Sequence, residues 1–206
     1  MTPDNSHHTE SRLRLQRADA RNNRARILEA ADEVFGASGA AASTEDVARL
    51  AGVGIATVFR HFPTKVDLLT AVLAGRLDQL AARARDLASD PDLEPDDAFL
   101  RFFTEVVDDA STKVTIADAL SDAGAGASLD EAPEAIAAAG ERLRQAFGDL
   151  LQRAQDAGGI RTDVAAAETY ALMVGTSRAV VRSRLPDQVK ARMLAVVFDG
   201  LRAGTG

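Results

Sequence analysis

The sequence predicts an all-α protein, with a small N-terminal three-helix unit followed by a larger C-terminal helical domain. Three observations carry this prediction. From about Arg17 onward, apolar residues recur at i, i+3, i+4 and i+7, the spacing of one helix face. Alternating apolar and polar runs bounded by turn signals, the mark of strands, are absent. Capping residues and Gly or Pro punctuation fall where the periodic segments begin and end.

Residues 1–16 read as an unstructured tail. The first helix covers about 18–37, with Ile27, Leu28, Ala31, Val34 and Phe35 on one face and Gly39 as a candidate C-cap. Ser43 opens a short helix, and Asp46 three residues later completes a capping pattern. Its apolar stripe is Val47, Leu50 and Ala51. Gly52-Val53-Gly54 breaks it, a second short helix covers about Ile55–His61, and Pro63 ends that one. Thr64, with Asp67 as its partner, caps a long connecting helix running to 89. An acidic, Pro-containing connector (90–97) follows, and further helices are expected near 96–110, 113–123, 132–157, 163–183 and 186–203, with breaks at Gly124–Asp130 and Gly158-Gly159. The expected divisions are therefore a tail at 1–16, a three-helix unit at 17–63 and a larger domain at 64–206, joined by the helix 64–89.

Composition narrows the class. Apolar residues make up 46% of the 206 and charged residues 27%, the balance of a soluble protein with a real core. Eight Phe and one Tyr are the only aromatics, so Ala, Leu and Val supply most of the packing. No apolar run reaches the roughly 18 residues of a membrane span, and the polar N-terminus lacks the apolar centre of a signal peptide, so a cytoplasmic protein is expected. Without cysteine there are no disulfides, thiol nucleophiles or Cys-based zinc sites. Metal-ligand clusters, phosphate-binding glycine loops and nucleophile–base pairs are also missing from the pattern, which argues against an enzyme and implies no cofactor. His7 and His8 read as part of the solvated tail.

The net charge of −7 is unevenly placed. Residues 1–62 hold eight Arg and eight Asp or Glu and sum to zero, so 63–206 carry the whole −7. Within the first part, Arg12, Arg14, Arg17, Arg21, Arg24 and Arg26 face only Asp19, a local +5. Exposed charges are screened beyond about 8–10 Å. A phosphate near this stretch would therefore feel the local excess and not the acidic whole.

Two helices of seven or eight residues around a Gly-bearing turn are too short to persist alone and must pack on a third. That arrangement fits a helix-turn-helix, whose second helix enters the major groove of DNA. Periodicity and caps leave any small helical bundle open as the alternative. The residues themselves go further: ARILEAADEVFGASG followed by STEDVARLAGVGIATVFRHFPTKVDLLTAVL closely resembles the DNA-binding domain of the TetR family of regulators. The resemblance covers roughly Arg24–Leu73. It rests jointly on a Phe late in the first helix, V-A-x-x-A-G-V before the turn and T-x-F-R-H-F-P-x-K after it.

Packing and chemistry assign roles within the motif. Val47, Leu50, Val53, Val58 and Phe62 are expected to face inward against Ile27, Ala31 and Phe35, leaving Ile55, Ala56, Thr57, Arg60 and His61 outward. Arg60 is the candidate for a bidentate guanine contact, since its fork matches O6 and N7. Thr57 suits phosphate or base, Ile55 and Ala56 suit a thymine methyl, and Gly54 is expected to permit close backbone approach. Ser43, Thr44 and Lys65, near helix N-termini, suit phosphate contacts, as does Arg24. The family commonly has a Tyr where this chain has Phe59. Phe59 lacks the hydroxyl, which leaves ring packing on the DNA backbone or a place in the core. His61 lies where the family has a backbone-contacting His.

In the C-terminal part, helices 96–110 and 132–157 each show one apolar stripe, but 163–183 and 186–203 are apolar on two sides. One core covers only one side, so these helices are expected to pair with a second copy in a two-fold four-helix interface. The resemblance implies the same homodimer, reading a palindromic operator in double-stranded DNA, and a repressor released by a small-molecule effector. It also implies an effector pocket in this domain. Phe102, Phe103, Val106, Ile116, Leu120, Phe147, Leu151, Tyr170, Met173 and Ser177 are the candidates for its lining. Such a lining favours a mainly apolar ligand held by a few polar handles, among them Thr115, Tyr170 and Ser177. A ligand-blind architectural DNA-binding dimer is the alternative.

Overall fold

The structure is a computed structural model and describes residues 6–38, 41–123 and 133–204. Among these residues nine helices follow one another: α1 (Ser6–Ser38), α2 (Thr44–Ala51), α3 (Ile55–His61), α4 (Lys65–Ser89), α5 (Pro95–Asp108), α6 (Ala110–Asp122), α7 (Glu134–Asp156), α8 (Ala166–Arg182) and α9 (Asp187–Leu201). The one extended pairing among the described residues is an isolated antiparallel bridge between Ile160 and Arg202. No helix among them is long and apolar enough to cross a membrane.

Helix boundaries follow local chemistry. Ser43 and Thr64 each accept the backbone N–H three residues on and receive the matching carboxylate, Asp46 or Asp67, on their own N–H. Pro95 occupies the first position of α5, where a missing N–H costs nothing. Pro133 and Pro186 stand at the N-caps of α7 and α9, which sets those starts slightly later than the periodicity predicts. The largest difference is in α1. It starts at Ser6, although residues up to 16 are expected to be unstructured. Arg12, Leu13, Arg14, Leu15 and Gln16 at the end of that stretch are good helix formers, and they extend a helix already nucleated by the packed turns around Ile27. The expected Gly39 cap and the Gly124–Asp130 break lie outside the described residues.

Two apolar clusters organise the chain. One gathers Ile27, Ala31, Phe35, Val47, Val58, Phe62, Leu68, Leu69 and Val72 from α1–α4, and adds Ile116, Ala119 and Leu120 of α6 and Ile136 of α7. The other gathers Ala81, Ala84 and Leu87 of α4 with Phe99, Phe102, Phe103, Leu143, Phe147, Leu150, Met173, Leu194 and Leu201. Helix α4 thus enters both, and Leu77 packs against each. The N-terminal core does not stop at residue 63; it takes in half of α4 and one face of α6.

Charged groups reinforce the same junction. Arg76 on α4 donates to Asp32 on α1, with one bond of 2.8 Å, and to Asp109 between α5 and α6 at 3.1 Å. Burial works against its charge, yet the two carboxylates outweigh that and hold it above its ordinary range. Lys113 shares Asp109 at 3.1 Å, and there burial wins and pushes the ammonium down. Gly36 allows α6 to approach α1: a methyl there would meet Thr112 Oγ1 at 3.0 Å.

Candidate nucleic-acid interface

The three-helix unit begins with α2 against α1. Thr44, Val47, Ala48 and Ala51 are the buried residues, an i, i+3, i+4, i+7 row centred near the two alanines, whose small side chains let α1 come close. Leu50 lies more than 90° round the helix from that centre and is 49% exposed, contrary to the expected inward position. Val53 is half-buried and packs against the same core.

The turn depends on Gly52, which adopts φ +63° and donates its N–H back to Ala48 and Arg49. Arg26 Nη2 reaches across to the Ala51 carbonyl at 2.5 Å, tying α1 to the end of α2. Gly54 caps α3 with an ordinary negative φ, and no atom lies within 4 Å of where its Cβ would be. The expected close approach at Gly54 is therefore absent within the chain; its missing side chain leaves open space beside α3.

Helix α3 buries Val58 completely and is capped at Phe62, itself buried. Ile55, Ala56, Phe59 and Arg60 are exposed, and at 3.6 residues per turn they form one continuous outward face. Phe59 is 43% exposed in the middle of that face, so it is not a core residue. Thr57 and His61 are half-buried along its edge. Arg24 from α1 lies over the Phe62 ring, 5.1 Å from its centroid, which places an exposed guanidinium beside the end of α3.

The remaining expected phosphate ligands have work inside the protein. Ser43 Oγ sits in its capping box, and Thr44 is only 9% exposed with its hydroxyl 3.4 Å from Glu45. Lys65 donates its ammonium to the Ala42 carbonyl at 2.7 Å and lies 5.7 Å from the Phe35 ring centroid, so it braces the start of α4.

The expected effector-pocket residues divide between the two clusters. Phe102, Phe103, Val106, Phe147, Leu151 and Met173 are buried together, with Tyr170 packed edge-on to Phe147 at 5.5 Å. Ile116 and Leu120 instead belong to the core of the three-helix unit, because that face of α6 turns towards α1 and α4. Burial pushes the Tyr170 phenol up, with Arg144 opposing. Ser177 is 6% exposed, and its hydroxyl finds no partner among the described residues. The sequence reading missed a groove of about 360 Å³ between α1 and α4, lined by Glu29, Asp32, Gly75, Arg76 and Gln79 among others. Its small residues are visible in the sequence, but their facing across two helices is not.

Helices α8 and α9 expose small and apolar residues, interleaved with exposed Arg178 and Arg182 on α8 and with Gln188, Arg192 and Asp199 on α9. Ala171, Leu172, Gly175 and Ala179 are exposed on α8, and Ala191, Ala195, Val196 and Gly200 on α9, with Leu172 at 41% and Val196 at 72%.

A short capped helix, a glycine turn and an exposed second helix, all seated on a third, define a helix-turn-helix DNA-binding protein. Comparison with known proteins agrees. Residues 27–72 match the family model for bacterial regulatory proteins of the tetR family, and residues 94–203 match the C-terminal domain of SbtR-like transcriptional regulators. A TetR transcription regulatory protein from Mycobacterium vanbaalenii superposes with a TM-score of 0.71 at 36% identity, covering 91% of this chain and 99% of that one. The TetR transcriptional regulator SCO0520 from Streptomyces coelicolor gives a TM-score of 0.70 at 30% identity, covering 88% and 99%. The HTH-type transcriptional regulator TtgR of Pseudomonas putida is 33% identical over 106 residues, 49% of this chain and 50% of that protein. The chain thus spans about half the length of the curated relatives it matches. The chain belongs to the TetR family of transcriptional regulators.

Proposed function

We propose that the protein is a homodimeric repressor that reads a palindromic operator with α3 and is released by a small, mainly apolar effector. The observation that carries the DNA reading is the outward face of α3. Two apolar side chains, Ile55 and Phe59, stand exposed beside Arg60 on a helix whose only buried residue is Val58. Arg60 suits guanine O6 and N7, Ile55 and Ala56 suit a thymine methyl, and the Phe59 ring suits the sugar-phosphate backbone. Open space at Gly54 lets that backbone come close. Arg24, with Thr57 and His61 at the rim, suits phosphates.

The dimer reading is supported by the exposed apolar side chains Leu172 of α8 and Val196 of α9, beside small residues that allow close helix packing. The effector reading is supported by Ser177. A buried hydroxyl without a partner costs on the order of 1–3 kcal/mol, and a ligand that hydrogen-bonds it recovers that cost. Aromatic rings around Phe147 would give such a ligand an apolar seat.

Selection from a library of random duplexes tests the DNA reading. We expect enrichment of one inverted repeat, with half-sites in successive major grooves about 34 Å apart. Arg60→Ala should relax the preference at one base position and cost on the order of 1–3 kcal/mol, whereas Arg24→Ala should weaken all duplexes alike. Arg178→Ala, on α8, should leave both unchanged. Equal losses from all three substitutions would contradict α3 as the reader.

A further inference from the structure

Helix α1 runs well beyond what the three-helix unit requires. Among its described side chains the first buried one is Ile27, yet the helix starts at Ser6. Arg14 and the whole stretch Ala18, Asp19, Ala20, Arg21 and Asn22 are exposed, so none of these described side chains packs into a core. At 100° per residue, Arg14, Arg21 and Arg24 fall within a stripe about 80° wide, and Asp19 lies on the opposite side. Asp19 is also the sole acidic residue between positions 11 and 28. Arg24, at the inner end of the stripe, lies over Phe62 at the close of α3. The basic stripe is therefore continuous with the end of the reading helix.

We infer that this projecting half of α1 is a second DNA contact, a basic rail that follows the phosphate backbone outside the half-site read by α3. Geometry and charge select this partner. Arg14 and Arg24 are ten residues apart, about 15 Å along the helix, which matches about four base pairs of duplex. Among the described residues Arg14, Arg21 and Arg24 hold no hydrogen-bonded carboxylate, and the planar guanidinium fork matches phosphate oxygens without needing a base sequence. The contact adds affinity without adding specificity. It rests on the reading of α3 as the sequence reader.

The duplex recovered by selection supplies the probe, in two lengths: one ending at the inverted repeat, the other with ten further base pairs on each side. Wild-type protein should bind the longer duplex at least tenfold tighter. Arg14→Ala/Arg21→Ala replaces exposed residues with the best helix former, and unchanged far-UV circular dichroism would verify that α1 persists. This variant should lose the length preference and show a slope of log K against log salt shallower by about 3–4, from four phosphates per dimer. It should keep the base preference. Arg60→Ala should do the converse, relaxing the base preference at one position and keeping length dependence. An unchanged salt slope and length preference in the double variant would overturn the rail and leave α3 untouched. A selection that enriches no sequence would overturn the α3 reading, and the rail with it.

Discussion

At Gly52 the backbone takes φ +63°, and a methyl group there would meet the Arg26 guanidinium at 2.8 Å. Gly54, two residues on, has an ordinary φ and nothing within 4 Å. The two glycines should therefore separate stability from binding. Gly52→Ala should cost about 1–2 kcal/mol from the left-handed conformation alone, more once Arg26 is displaced from the Ala51 carbonyl. Gly54→Ala should stay within about 0.5 kcal/mol in thermal unfolding, yet weaken binding to the selected duplex by crowding the DNA backbone. Equal unfolding shifts for the two would show that the turn is misread. The sequence announces a turn at 52–54, but a dihedral and a neighbour decide which glycine the fold needs. Phe59 is a similar case: its place between Ile55 and Ala56 on the helical wheel puts it outward, while residue type alone favours the core.

At the scale of elements, helix periodicity was legible and neighbours were not. Every predicted helix is present, and the capping boxes at Ser43 and Thr64 have the partners expected. Helix α6 shows what periodicity leaves out: Ile116 and Leu120 mark an apolar face, but nothing local says that α1 and not α5 covers it. Leu50 fails for a related reason. Spacing of three from Val47 suggests burial, but the alanines at 48 and 51 draw the buried face the other way. The α4–α5 contact carries a pH prediction. Arg83 holds Glu105 through two bonds of 2.7 Å and keeps its carboxyl below the ordinary 4.5, against an opposing effect of burial. Because the folded protein lowers this value, the contribution is complete above that pH and is lost as pH falls below it. Thermal unfolding followed from pH 7 to pH 3 should therefore show a smaller loss for Glu105→Gln than for the wild type. Ser177→Ala offers a second check on α8. Removing an unpartnered buried hydroxyl should stabilise the ligand-free protein by about 1 kcal/mol, and a loss of stability would reveal a hydrogen bond instead.

For the whole molecule, the two clusters meet along α4 and α7, so the reading head and the C-terminal core share packing and not only a tether. A ligand that repacks the Phe147 region would bias the orientation of α4, and hence the spacing of two heads, through this shared structure. The spacing needs the second copy. Val196→Glu, on the exposed face of α9, should therefore yield a monomer by sedimentation and reduce operator affinity steeply while leaving thermal unfolding of the head intact. All-α class, the three-helix motif and the doubly apolar last helices were legible because each is local and periodic. The extent of the head core and the length of α1 were not, since both depend on contacts distant in sequence or on helix propagation.

The most direct test of α3 as a sequence reader is equilibrium binding of the wild-type protein to the selected inverted repeat and to a scrambled duplex of equal length at one fixed salt concentration. The account predicts two protomers per duplex and an affinity for the repeat at least about 10³ times higher. Equal affinities for the two duplexes would contradict it.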